Sequence, residues 1–106
     1  MDNRLNNTYV EFEFADGEKT KLTLAFYLVY KLKAKNPKIY EKYSKIMSKT
    51  KTDDLETITV LYTAYLCAHI EDENVMSEEE FMIRCGCDRY SASEAAYKLL
   101  RKPKKQ

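Results

Sequence analysis

The stretch Asp53–Ile70, DDLETITVLYTAYLCAHI, constrains the fold more than any other part of the chain. On a 3.6-residue period Leu55, Ile58, Leu61, Tyr62, Tyr65 and Leu66 share one broad face, the i, i+3, i+4, i+7 pattern of a buried helix. The opposite side is also apolar but mostly small, with Val60, Ala64, Cys67 and Ala68. Only a narrow strip of Glu56, Thr59 and Thr63 reads as polar. Such a helix must be covered on more than one side. Its length of roughly 27 Å approaches a bilayer's thickness. Asp53, Asp54, Glu56 and the many hydroxyls instead make it the core helix of a soluble domain.

The rest of the chain must supply that cover. At 106 residues, 44% hydrophobic and 33% charged, it fits one domain over 1–106 with a sizeable core. Two glycines and two prolines leave no room for a flexible linker. The N-terminus has no apolar run of the signal-peptide kind, and no window suits a membrane span, so a cytoplasmic protein is expected. Three cysteines are too few, and odd in number, for a disulfide framework.

Residues 1–8 are polar and read as a flexible N-terminus. Residues 9–24 predict a β-hairpin. In YVEFEF, Val10, Phe12 and Phe14 share one face, Asp16-Gly17 suits a tight turn, and KTKLTL returns with Leu22 and Leu24 inward. Residues 25–100 read as helical. The first helix, 25–35, has a stripe of Phe26, Val29 and Tyr30 widened by Leu28 and Leu32. Asn36-Pro37 ends it and starts a second, with Ile39, Tyr40, Tyr43, Ile46 and Met47 inward. Capping-box signals stand at Asp53/Glu56, Ser77/Glu80 and Ser91/Glu94, and Gly86 is placed to stop the helix carrying Phe81, Met82 and Ile83. Residues 101–106, RKPKKQ, form a basic tail. The fold class expected is mainly α (α+β), an N-terminal β-hairpin packed on a bundle of four or five helices.

Chemistry is hard to place on this sequence. Cys67-x-His69 and Cys85-x-Cys87 offer zinc-type ligands. However, positions i and i+2 of a helix point about 200° apart, so Cys67 is better read as a small core residue. The single histidine has no sequence tie to a cysteine. A thiol following a helix C-terminus also lacks the field that lowers its pKa. The acids at 78–80 are explained by their first-turn position. No phosphate-binding glycine pattern occurs. The reading is a non-enzyme without metal or cofactor.

Residues 77–100 have the layout of a helix-turn-helix, with Arg89, Tyr90, Ser91 and Ser93 opening the second helix. A small DNA-binding regulator is therefore one alternative. The acidity of 71–100 and Glu94 in the recognition position disfavour it. Nine tyrosines and four phenylalanines without tryptophan are aromatic-rich. Tyr40, Tyr43, Tyr62 and Tyr65 fall on core stripes, whereas Tyr27, Tyr90 and Tyr97 are less clearly interior, and exposed tyrosines favour protein interfaces.

Charge is segregated. Residues 1–52 hold 11 Lys/Arg against 6 Asp/Glu, residues 53–100 hold 3 against 11, and the tail adds four positive charges. Opposite signs of this kind hold two halves of a fold together or join one copy to the next.

The order of parts resembles the small tail assembly chaperones of long-tailed phages and prophages of Gram-positive bacteria. The resemblance is carried by FEFADGEKTKLTL, FYLVYKLKAKNPKIYEKYSKIM, LETITVLYTAYLCAH and SEEEFMIRCGCDRYSASEAAYKLLRKPKK. It rests on pattern over about residues 9–105, not on a chemical motif. It implies a protein that coats the tape measure protein before the tail tube polymerises and is absent from the mature virion. Family members are often made in two lengths by ribosomal frameshifting, with which a Lys-rich ending is compatible. A structural protein of the head–tail connector or tail is a further alternative, disfavoured by the lack of an extended β-rich segment. The family carries over no site residues. The charge map puts partner binding on the basic, Tyr-bearing face of 27–45 and the tail, at Tyr27, Lys31, Lys35, Lys42, Arg101 and Lys102, with self-association through the oppositely charged regions as a second expectation.

Overall fold

The computed structural model of the chain describes residues 9–100. Two antiparallel strands, β1 (Tyr9–Glu13) and β2 (Lys19–Thr23), precede five helices. These are α1 (Phe26–Lys35), α2 (Pro37–Met47), α3 (Asp54–Ala68), α4 (Glu78–Cys85) and α5 (Arg89–Leu100). The architecture is the hairpin-plus-helices α+β fold that the patterning predicts. One cluster of buried side chains takes residues from all seven elements.

Helix α3 is the axis of that cluster. Asp53 caps it through a complete capping box: its carboxylate accepts from the Glu56 backbone N–H at 2.8 Å, and the Glu56 carboxylate accepts from the Asp53 N–H at 3.1 Å. Every residue from Thr59 to Cys67 is buried. Of the strip expected to be polar, Thr59 and Thr63 are therefore interior and Glu56 is half-buried. Thr63 and Thr59 stay satisfied by donating to backbone carbonyls one turn back, at 2.8 and 3.3 Å, and Thr59 also reaches the Glu78 carboxylate at 2.8 Å. A threonine can sit inside a helix bundle because its hydroxyl bonds within its own helix and presents its methyl outward. Leu55, in the first turn of α3, departs from the expected inward face, being 63% exposed.

The hairpin pairs Tyr9 with Thr23 through Glu13 with Lys19. Its outer face sets Glu11 against Lys21 and Glu13 against Lys19, and its inner face buries Phe12, Phe14 and Leu22. In the turn only Gly17, at φ 91°, takes the left-handed region; Asp16 instead accepts from the Glu18 N–H at 3.0 Å. The turn docks on the end of α4. The Ala15 N–H donates to the Arg84 carbonyl at 2.8 Å, and the Arg84 guanidinium pairs with Asp16 and lies 4.4 Å over the Phe14 ring.

Phe81 of α4 is fully buried at the meeting point of both layers. Its ring lies 5.4–5.5 Å from those of Tyr65, Tyr62 and Phe14, and 6.4 Å from Phe12. The two tyrosine hydroxyls fix the loop leading into α4: Tyr62 donates to the Met76 carbonyl at 2.7 Å, and Tyr65 accepts from the Met76 N–H at 3.0 Å. Gly86 ends α4 at φ 69°, where a Cβ would stand 3.0 Å from that of Ala15.

Two local expectations need correction. Helix α5 begins at Arg89, earlier than the Ser91/Glu94 signal implies. Asp88 accepts from the Ser91 N–H at 3.0 Å and so takes the capping role. In α2, Ile39 and Ile46 are buried and Tyr40 and Tyr43 half-buried, but Met47 at the last turn is partly exposed.

Candidate functional site

Helix α1 has apolar residues around more than half its circumference, so periodicity permits more than one face to be buried. The structure buries Leu32 fully and packs Leu28 and Val29 partly against the core, touching α2 and α3. Phe26 and Tyr30, expected inward with Val29, point to solvent at 94% and 72% exposure, and Tyr27 joins them at 64%. The strand-to-helix connection sets this rotation. Leu22 and Leu24 enter the core, Thr23 accepts from the Ala25 N–H at 3.2 Å, and the aliphatic arc of α1 follows Leu24 inward. Phe26 and Tyr30 lie one turn apart, and Lys33 continues their row, giving an outward i, i+4, i+7 line. This is the largest set of neighbouring apolar rings at the surface of the described residues. Its aromatic content matches that of protein-binding surfaces, whose cores are depleted in lysine and whose rims are polar.

Of the residues expected to bind a partner, Tyr27, Lys31 and Lys35 lie on α1 and Lys42 lies on α2. Arg101 and Lys102, with the rest of the basic tail, and residues 1–8, expected to form a flexible N-terminus, lie outside the described residues. The three described lysines are not free charges. Lys31 bonds Glu71 at 2.8 Å and lies 5.3 Å from the Tyr27 ring centre; the bond holds the ammonium pKa above its usual value and the Glu71 carboxyl below its own. Lys35 donates to the Ile70 carbonyl just past α3, where backbone oxygens lack helical partners. Lys42 bonds Glu78 at 2.7 Å. With Lys49–Glu56, these contacts join the basic half of the sequence to the acidic half. Internal pairing thus absorbs part of the segregated charge, though each exposed pair contributes little to stability.

Sequence reasoning missed Phe26, Tyr30 and Lys33 as surface residues. The available signal was that Leu28 and Leu32 already form a sufficient inward stripe, leaving Phe26 and Tyr30 nearly opposite. Beside Tyr30 an open depression runs along Lys33, Ala34 and Lys35 to Ile70 and Glu71.

The other sites weighed from sequence have different surroundings. Cys67 and Cys85 are buried, which pushes their thiols up to about 12 and about 11, unlike an activated nucleophile; Cys87 is exposed. His69 closes α3, with Nε2 3.0 Å from the Thr20 hydroxyl and Nδ1 2.9 Å from Asp72. Among the described residues no three His, Cys, Asp or Glu side chains cluster at metal-binding distance. Helices α4 and α5 do follow one another across a glycine turn, but Arg89 is ion-paired with Asp54, and Glu11, Glu13 and Glu94 line one hollow beside Tyr90. A cavity of about 110 Å³ between the ends of α3, α4 and α5 is lined by Leu55, Ile58, Met82 and Ala92. No described helix is long and apolar enough to cross a membrane. Compared with protein-family models, with curated proteins and with solved structures, the chain matches none.

Proposed function

We propose that this chain is a non-enzymatic phage tail assembly chaperone that binds the tape measure protein in the host cytoplasm during tail morphogenesis. The observation that carries the reading is the outward aromatic face of α1, with Phe26, Tyr27 and Tyr30 all mostly exposed on a helix that packs Leu28, Val29 and Leu32 against the core. A tape measure protein is largely long amphipathic helix, as the family resemblance implies. The α1 face offers rigid rings in helical rows, which suit an apolar helical stripe at low conformational cost. Lysines at the edge of the rings give the contact a polar rim. The resemblance in the order of parts over about residues 9–105 supports the same reading.

The test is co-expression with the long helical reading frame downstream of the gene, followed by affinity capture and a solubility assay. The proposal expects the partner to be soluble only with this chain and to be captured with it. A partner whose solubility is unchanged and which is not captured contradicts it.

A further inference from the structure

We infer that the helix received by α1 is acidic along the edge of its apolar stripe, and that Lys33 reads that charge. This rests on the helix-binding role proposed for α1 and specifies its partner. Residues 26–52 hold eight lysines and a single acid, Glu41. Lys31, Lys42 and Lys49 are matched by Glu71, Glu78 and Glu56. Around the depression beside Tyr30 stand Lys31, Lys33 and Lys35 with one carboxylate, Glu71, which already pairs with Lys31. Lys35 is held by a carbonyl, so its charge is retained, and no described carboxylate pairs with Lys33. The rim of the aromatic face therefore keeps uncompensated positive charge.

Lys33 is also positioned. Its ammonium lies 5.2 Å from the centre of the Tyr40 ring on α2, so the side chain is directed across the α1–α2 junction. It continues the Phe26–Tyr30 row by one turn. A client helix whose apolar stripe covers those rings brings a flanking side chain to Lys33. A carboxylate there meets an opposite charge as water is displaced, while a lysine meets a like charge, which discriminates between clients. Aromatic rings with lysines also serve single-stranded nucleic acid. The helix is favoured here because the rings follow helical rows that interdigitate with another helix's ridges.

The test uses the full chain and two synthetic amphipathic peptides with the same leucine stripe, flanked by glutamate or by lysine, and an oligothymidylate single strand. Fluorescence anisotropy is read at low and high salt for the natural chain, Lys33→Glu and Tyr30→Ala, with circular dichroism checking each fold. The inference expects at least tenfold tighter binding of the glutamate peptide, a preference that shrinks at high salt. Lys33→Glu should reverse it, and Tyr30→Ala should weaken both peptides. Equal affinities, an unchanged ratio in Lys33→Glu, or binding of the oligonucleotide alone would overturn it. So would salt-sensitive self-association, lost in Tyr30→Ala, with neither peptide bound, because the face would then belong to a second copy. Capture of the tape measure protein in co-expression without any peptide preference removes the charge inference alone and leaves the chaperone proposal standing.

Discussion

Helices α1 and α3 have nearly equal shares of hydrophobic residues, seven of ten and ten of fifteen, and opposite fates. From Thr59 to Cys67 α3 is buried around its whole circumference, threonines included. Helix α1 buries one aliphatic arc and turns its rings outward. Their neighbours explain the contrast. Helix α3 is touched by β2 and by each of the other four helices, whereas the main contacts of α1 are with α2 and α3. Apolar content alone therefore does not say which helix builds the core and which one displays a surface. The same holds for aromatic rings: Phe12, Phe14, Tyr62, Tyr65 and Phe81 pack on one another, while Phe26, Tyr27 and Tyr30 pack on little.

Truncating the interior set should break the fold most. Phe81→Ala is expected to cost about 3–5 kcal/mol, read as a lowered urea midpoint, because it empties the point where four rings converge. A loss under about 1 kcal/mol would mean that the two layers do not meet there. Gly86→Ala should cost about 1–3 kcal/mol in the same assay, from a backbone region that favours glycine and a crowded Ala15. Asp53→Ala removes the acceptor half of the α3 capping box and should cost about 1 kcal/mol.

Thiol labelling sharpens the interior–exterior contrast without a mutation. At pH 8 one maleimide adduct, on Cys87, is expected within minutes, and Cys67 and Cys85 should label only on unfolding. Two adducts under native conditions would contradict the burial of α3 or of the α4 end. The smallest expected effect is on acid stability. Asp16, Glu56, Glu71 and Asp88 have carboxyls held below their usual range by hydrogen bonds and partner charges. Their contribution is present above the unfolded values of 3.8 and 4.5 and is lost as pH falls through the lower folded values. Asp16, Glu71 and Asp88 are exposed and Glu56 is only half-buried, so the urea midpoint should decline only modestly across that window.

Much of the fold was legible because its signals are local. Alternation in YVEFEF, the Asn36-Pro37 boundary, the Asp53 capping box and Gly86 each act within a few residues. The choice of inward arc on α1 is only partly local, since beyond the Leu28–Leu32 stripe it depends on which sides α2 and α3 cover. The central place of Phe81 depends on contacts from β1 and α3, remote in sequence. Of the candidate site, the placement on α1 was legible from its lysines and Tyr27. The pairing of those lysines with Glu71, Ile70 and Glu78 was not, because it joins residues 35 to 40 positions apart.

The most direct measurement is the double variant Phe26→Ala/Tyr30→Ala, taken through chemical denaturation and through co-expression with the tape measure protein. The account predicts a urea midpoint close to that of the natural chain, since exposed side chains contribute little to stability, together with loss of partner capture and solubility. Capture undiminished in the stably folded variant would contradict the assignment of α1 as the binding face.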